Sequence, residues 1–194
     1  MTAARAPILV ALALIAATGG CSPSNGDDAA TGATTNPVAS TDDRPIRPNL
    51  PMARDCGGID VPVLKGRVSD PANLIPDADE TLLEQHLAQY QARTGHEAVA
   101  VMLPTLNGKD DGLVARCLGD SWSVGDEVRQ DGVMLMLVPS EERVRVAMGS
   151  GFGNAEESNR KAQQVIDGMM PSLRRGDMVG GLKEGAQSLS RILP

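Results

Sequence analysis

Residues 122–151 read WSVGDEVRQDGVMLMLVPSEERVRVAMGSG. An acidic loop closes on Gln130-Asp131-Gly132. Gly132 to Val138 is then almost wholly apolar, which suits a central strand covered on both faces. Pro139 to Glu142 is a polar turn. Beyond it Arg143, Arg145 and Ala147 alternate with Val144, Val146 and Met148, the period of a strand with one polar face, at an edge or half-covered. The stretch therefore encodes a β-hairpin, entered through an acidic loop and left through the turn Gly149-Ser-Gly151.

Working outward, the spacing predicts four helices. Asp77 to Thr94 carries Leu82, Leu83, Leu87 and Tyr90 at helical intervals, with Asp77 and Glu80 placed as a capping box and Gly95 as the stop. Ala98 to Leu103 is a short apolar strand. Asp110 to Trp122 is a second helix with Leu113, Val114, Cys117 and Leu118 on one face. A third starts at Asn154 or Ser158, presents Ala162, Val165, Ile166 and Met169, and meets Pro171 near its end. Met178 to Leu193 is the fourth. Helices alternating with strands around one hairpin predict an α/β fold, a small mixed sheet sandwiched between about four helices.

The folded unit is expected over residues 56–194, one domain with a core of aliphatic side chains, since the chain has one Trp, one Tyr and one Phe. Residues 1–20 are expected to be a signal peptide, with Arg5 as the charge of its n-region and Pro7 to Ala17 as an apolar stretch too short to span a bilayer. Thr18-Gly-Gly-Cys21 resembles a lipobox, which makes Cys21 the expected site of lipid attachment; ordinary secretory cleavage nearby is the alternative. Residues 21–55 are rich in Ser, Thr, Asn, Asp, Gly, Ala and Pro without apolar periodicity, and read as a disordered tether with a reach of roughly 30 Å.

The net charge of -7 argues against nucleic acid as a partner and admits divalent cations or basic partners. Of three cysteines, Cys56 and Cys117 remain after Cys21. An exported chain meets oxidising conditions, in which these two are expected to pair and staple the segment before the domain to a helix; two unpaired thiols are the other outcome. With two histidines there is no zinc signature.

The ordered set Pro62-Val-Leu-Lys-Gly-Arg-Val-Ser-Asp70, Leu74-Ile-Pro76, Thr94-Gly-His96, Trp122-Ser-Val-Gly125, Asp131-Gly-Val133, Gly149-Ser-Gly151, Pro171-Ser-Leu-Arg174 and Gly176-Asp-Met-Val-Gly-Gly181 resembles the TPM domain family, also called the TPM phosphatase family. The resemblance covers roughly residues 60 to 193. It implies an α/β sandwich in an exported or membrane-attached protein. Some relatives bind divalent cations, and plant relatives are linked to acid phosphatase activity. The family often continues Gly-Tyr-Gly-Leu-Glu after the hairpin; here residues 149–153 read GSGFG, so that Glu is absent.

The candidate metal ligands are Asp126 and Asp131 before the central strand, Glu156 and Glu157 beyond the glycine turn, and Asp70 at the end of the first matching stretch. Oxygen donors of this kind suit Ca²⁺ or Mg²⁺, and because the spacing is not that of an EF-hand the site would be assembled from separate loops. Solvated loop acids, with Glu156 and Glu157 favouring a helix N-terminus, are the competing reading. Residues 149–153 lack the G-x-G-x-x-G order, and no nucleotide is expected. Asp77-Ala-Asp79-Glu-Thr81 precedes a helix and not a buried strand, which excludes an aspartyl-phosphate motif. His86 and His96 read as surface or loop residues, Ser150 has no nucleophile elbow, and Trp122 reads as core. The favoured function is a lipid-anchored accessory or binding module of the cell envelope, on the periplasmic side and at the outer membrane where there is one. Its expected partners are the membrane, through the lipid, and an envelope protein; its domain is expected to be monomeric. A metal-assisted acid phosphatase acting on phosphomonoesters is the alternative.

Overall fold

Val133 to Val138 is six apolar residues in a row, and every one is buried. Because alternate side chains of a strand point to opposite faces, such a run needs cover on both. The computed structural model, which describes residues 55–194, supplies it. The strands are β1 (Val68–Ser69), β2 (Ala98–Met102), β3 (Val133–Val138) and β4 (Arg143–Met148), and they lie in chain order across one sheet. β1, β2 and β3 are parallel; β3 and β4 form the antiparallel hairpin. The helices are α1 (Asp77–Thr94), α2 (Asp111–Trp122), α3 (Ala155–Leu173) and α4 (Met178–Ile192).

The two side-chain sets of the sheet build two cores. Val133, Leu135 and Leu137 join Ala98, Ala100 and Met102 against α1, α3 and α4. Met134, Met136 and Val138 join Val99 and Val101 against α2 and the segment around Cys56 and Ile59. The expected α/β architecture is the observed one, a mixed sheet between helical layers. A two-residue strand, β1, is added to the three legible in the sequence. It pairs with β2 at Val68↔Ala100, and Arg67 beside it donates its backbone N–H to both carboxylate oxygens of Glu84 at 2.9 and 2.7 Å.

Three local expectations are corrected. Leu82 and Leu113 are exposed, 44% and 70%, because each stands about 100° round its helix from the buried stripes Leu83-Leu87-Tyr90 and Val114-Leu118. Asp77 does not cap α1: Pro76 holds that position, its carbonyl accepts from Asp79 and Glu80, and the acids of the first turn favour the helix dipole instead. Asp110 lies just outside α2 and caps it by accepting from Leu113 N at 2.9 Å. Asn154, accepting from Glu157 N, is the start of α3.

Cys56 and Cys117 are joined by a disulfide with Cα atoms 5.7 Å apart, which ties the N-terminal segment to α2. Trp122 packs on the same core and donates its indole N–H to the Pro62 carbonyl at 3.0 Å. No helix among the described residues is long and apolar enough to cross a membrane. The signal peptide over 1–20, the lipid site Cys21 and all but the last residue of the 21–55 tether lie outside the described residues.

Candidate functional site

The end of the sheet where β2 and β3 begin is built from three loops that touch backbone to backbone. Gly95, in the left-handed conformation at φ 75°, stops α1 and turns the chain into His96 and Glu97. The loop 123–132 enters β3, and the turn 149–153 leaves β4. A Cβ on Gly149 would overlap the Gln130 carbonyl, and one on Gly151 the Arg129 carbonyl. Gly125 and Gly132 lie against each other in the same way. The glycines of the quoted stretch are therefore contact points between loops, which explains their places without any phosphate.

Asp131 sits at the centre, its side chain 3% exposed. Oδ1 accepts from the Asp126 backbone N–H at 2.9 Å. Oδ2 lies 2.8 Å from His96 Nδ1 and 3.2 Å from Arg129 Nε. Burial pushes the Asp131 carboxyl up, but the Asp126 N–H, His96 and Arg129 together outweigh it and hold the group below the ordinary carboxylate value. Asp126 is also held low, first by the Arg129 backbone N–H and also by that of Val128. The Phe152 ring meets the His96 ring edge-on, centroids 5.0 Å apart. Tyr90 is fully buried; burial, reinforced by Asp131 and opposed by a hydrogen bond with Thr94, pushes its pKa up to about 12.

Beside this end runs an open groove of about 750 Å³ between α2 and α3, lined among others by Asp120, Asp126, Glu127 and Gln130 and by Arg116 and Arg145. The loop acids thus fall into two groups. Asp126 and Asp131 are brought together, with Arg129 bridging them at 3.9 and 3.2 Å. Glu157 is paired with Lys161 at 2.9 Å and Glu156 is exposed on the first turn of α3. Asp70 accepts from Ile75 N at 2.6 Å after the far end of β1. Since β1 and β3 are parallel, a residue after β1 and a residue before β3 stand at opposite ends of the sheet, about 20 Å apart along the strands. Among the described residues no three His, Cys, Asp or Glu side chains come together as a metal cluster.

The donor chemistry bears on the fit of a divalent cation. The Asp131 oxygens already have a cation, Arg129, and two N–H partners. Asp120, Asp126 and Glu127 line the groove, and their oxygens are hard ligands suited to a hydrated Mg²⁺ or Ca²⁺ at the rim and not to a closed cage. Asp131 is then the residue that sets the loop, and Asp126 the residue that reaches out.

His96 and Tyr90 were not legible as site residues. One signal was present: Ala98 pairs with Val133, so residues two before each strand, His96 and Asp131, stand side by side. In the neutral ring, Nδ1 donating to the carboxylate leaves Nε2 as an acceptor. Ser150 offers no nucleophile beside it, because its hydroxyl is bonded to Gln130.

The sequence profile of the TPM domain family matches residues 68–192. No curated protein sequence matches the chain. Among solved structures, the N-terminal domain of a protein from P. gingivalis is similar at 27% identity and TM-score 0.58, covering 66% of this chain and 82% of that one. The N-terminal domain of the cg2496 protein from Corynebacterium glutamicum has 15% identity, TM-score 0.55, and covers 66% of this chain and 80% of that one. The BA42 protein from the psychrophilic bacterium Bizionia argentinensis has 14% identity, TM-score 0.55, and covers 63% and 83%. The last two likenesses are of fold alone.

Proposed function

The chain belongs to the TPM domain family, and from that premise we propose that it is a non-catalytic accessory or binding module of the cell envelope. In this reading Cys21 carries the lipid anchor, residues 21–55 form the tether, and the domain works on the periplasmic side, at the outer membrane where there is one. The observation that carries the non-catalytic part is the state of Asp131. The buried Asp131 carboxylate, at the head of β3, is consumed in holding His96, Arg129 and the Asp126 loop, which is a scaffold's work.

We further propose that the groove rim at Asp126 and Glu127 takes one hydrated Ca²⁺ or Mg²⁺, with Asp120, another lining residue, reached through water. The ion would supply charge neutralisation at the rim, and water would complete its shell. Glu157 and Asp70 are left out of this proposal because Lys161 and the Ile75 N–H engage them, and Glu156 because it does not line the groove. Calorimetry with each cation is the test. Binding that disappears in Asp126→Asn is expected; no heat and no thermal shift with either ion would remove the metal.

One observation favours the second reading, a metal-assisted phosphatase. The His96–Asp131 pair is the arrangement that prepares an imidazole for acid–base work. Turnover of a simple phosphomonoester that vanishes in His96→Gln would establish it, and turnover indifferent to that change would dismiss the pair from catalysis.

A further inference from the structure

β4 is an edge strand: it pairs with β3 on one side, and no strand of the described residues lies on the other. The register says which of its backbone groups are unspent. Val133 N bonds to Glu97 and Leu137 O accepts from Leu103, so the odd-numbered residues of β3 face β2. Met134, Met136 and Val138 then face β4, where they oppose Ala147, Arg145 and Arg143. That leaves the N–H and C=O of Val144, Val146 and Met148 directed at the open edge, and none of them bonds to another backbone group there.

Such an edge is commonly blunted by a bulge, a proline or a covering element. Here Arg145 to Met148 of this edge form the floor of the groove between two helices, with Val144 just beyond it, and Val146 is 5% exposed. Its backbone groups lie at the bottom of a slot, where an unpaired N–H or C=O is costly. The walls of the slot are small residues: Gly112, Ala115 and Gly119 on α2, and Ala155, Ser158 and Ala162 on α3. Small walls leave room for an added strand and for its side chains on either side.

The charge of the slot is sorted along its length. Arg145, held 3.5 Å from Asp111 at the start of α2, marks one end, and Arg116 stands midway along the helix. The Arg145 Nε is buried and has no hydrogen-bond partner. Asp120, Asp126 and Glu127 mark the other end, where β4 runs out into Gly149.

We propose that this slot binds an extended segment of another polypeptide, about six residues long, which adds to β4 as a fifth strand. It places an acidic side chain over Arg116 and Arg145 and a basic one over the acids at the far end. Main-chain bonds to Val144, Val146 and Met148 supply affinity, and the two charged ends supply selectivity. The proposal rests on the binding-module reading and names its partner. A cation on the same acids would compete with the basic end, so the peptide is titrated in the presence of a chelator, where the two readings fail separately.

The probe is a fluorescent hexapeptide with Glu at one end, Lys at the other and alternating Val and Thr between. Titrated against the purified full chain, it should bind and should slow amide exchange at Val144, Val146 and Met148. Ser158→Trp, which fills the slot from a surface position, should weaken binding about tenfold or more with the melting temperature unchanged. Arg116→Glu should weaken the same probe, and N-methylation of every probe amide should abolish its binding. No binding up to millimolar probe would overturn the proposal, as would binding indifferent to Ser158→Trp or to N-methylation. A groove already filled by the chain's own residues before Asp55 would show as protected Val144, Val146 and Met148 amides without probe, and would equally overturn a foreign partner.

Discussion

Asp131 makes the most concentrated set of polar contacts at the strand-entry end of the domain. Three donors converge on a side chain that is 3% exposed, so its removal orphans more than it deletes. Asp131→Asn is expected to cost about 2 kcal/mol in denaturant unfolding, since a neutral amide cannot accept from all three. The pH dependence has a definite sign. The folded carboxyl is held below its ordinary value, with burial opposing and the Asp126 N–H, His96 and Arg129 prevailing. A group depressed on folding contributes fully above its unfolded value of about 3.9. That contribution is lost as the pH falls from the unfolded value through the lower folded one, so across that window the variant should lose less stability than the parent. An equal acid loss in both proteins would show that Asp131 is not the group responsible. The importance of Asp131 was legible from its place before Gly132; its partner was not. His96 lies 35 residues upstream, and only the parallel register of β2 on β3 makes the two neighbours.

At the scale of elements, α2 joins the two halves of the molecule's chemistry. One side covers Val99, Val101 and Met134; another walls the slot; and Cys117 ties the helix to the segment at Cys56. The bond closes a loop of sequence separation 61, for which the chain-entropy relation gives about 4 kcal/mol. Replacing both cysteines by serine should lower stability by about that amount in chemical denaturation, and reductant should shift the parent equally. Amide exchange should rise first around Ile59 to Leu64, which the bond anchors, and last in β3. A uniform rise would mean that the segment is part of the central core. Elements of this length were readable because their apolar residues repeat. β1 was not, because two residues carry no period and its place depends on Arg67 meeting Glu84 on α1. Leu82 and Leu113 show the matching limit: an apolar residue beside a stripe reads as part of it until the helix is rotated into place.

For the whole molecule, alternation of helical and strand periods was enough to predict a mixed sheet between helices. It could not tell that the candidate acids divide between opposite ends of that sheet, because the direction of β1 relative to β3 is a property of the assembled fold. Charge bears on where the whole chain goes. With a net charge of -7 the protein is repelled by anionic lipid, and no described helix can cross a bilayer. Membrane association is proposed to come from a lipid on Cys21, and acyl chains hold a protein through apolar contact that salt does not screen. The full chain expressed in a bacterial host should sediment with membranes, resist extraction by high salt and be released by detergent. Cys21→Ser should move it to the soluble fraction with the disulfide-bonded domain still folded. If Cys21→Ser remained with membranes but left in salt, a charged envelope partner would be the anchor. If it remained through both salt and reductant, the residues before Asp55 would have to hold it as an uncleaved apolar segment, and the lipid reading would be wrong.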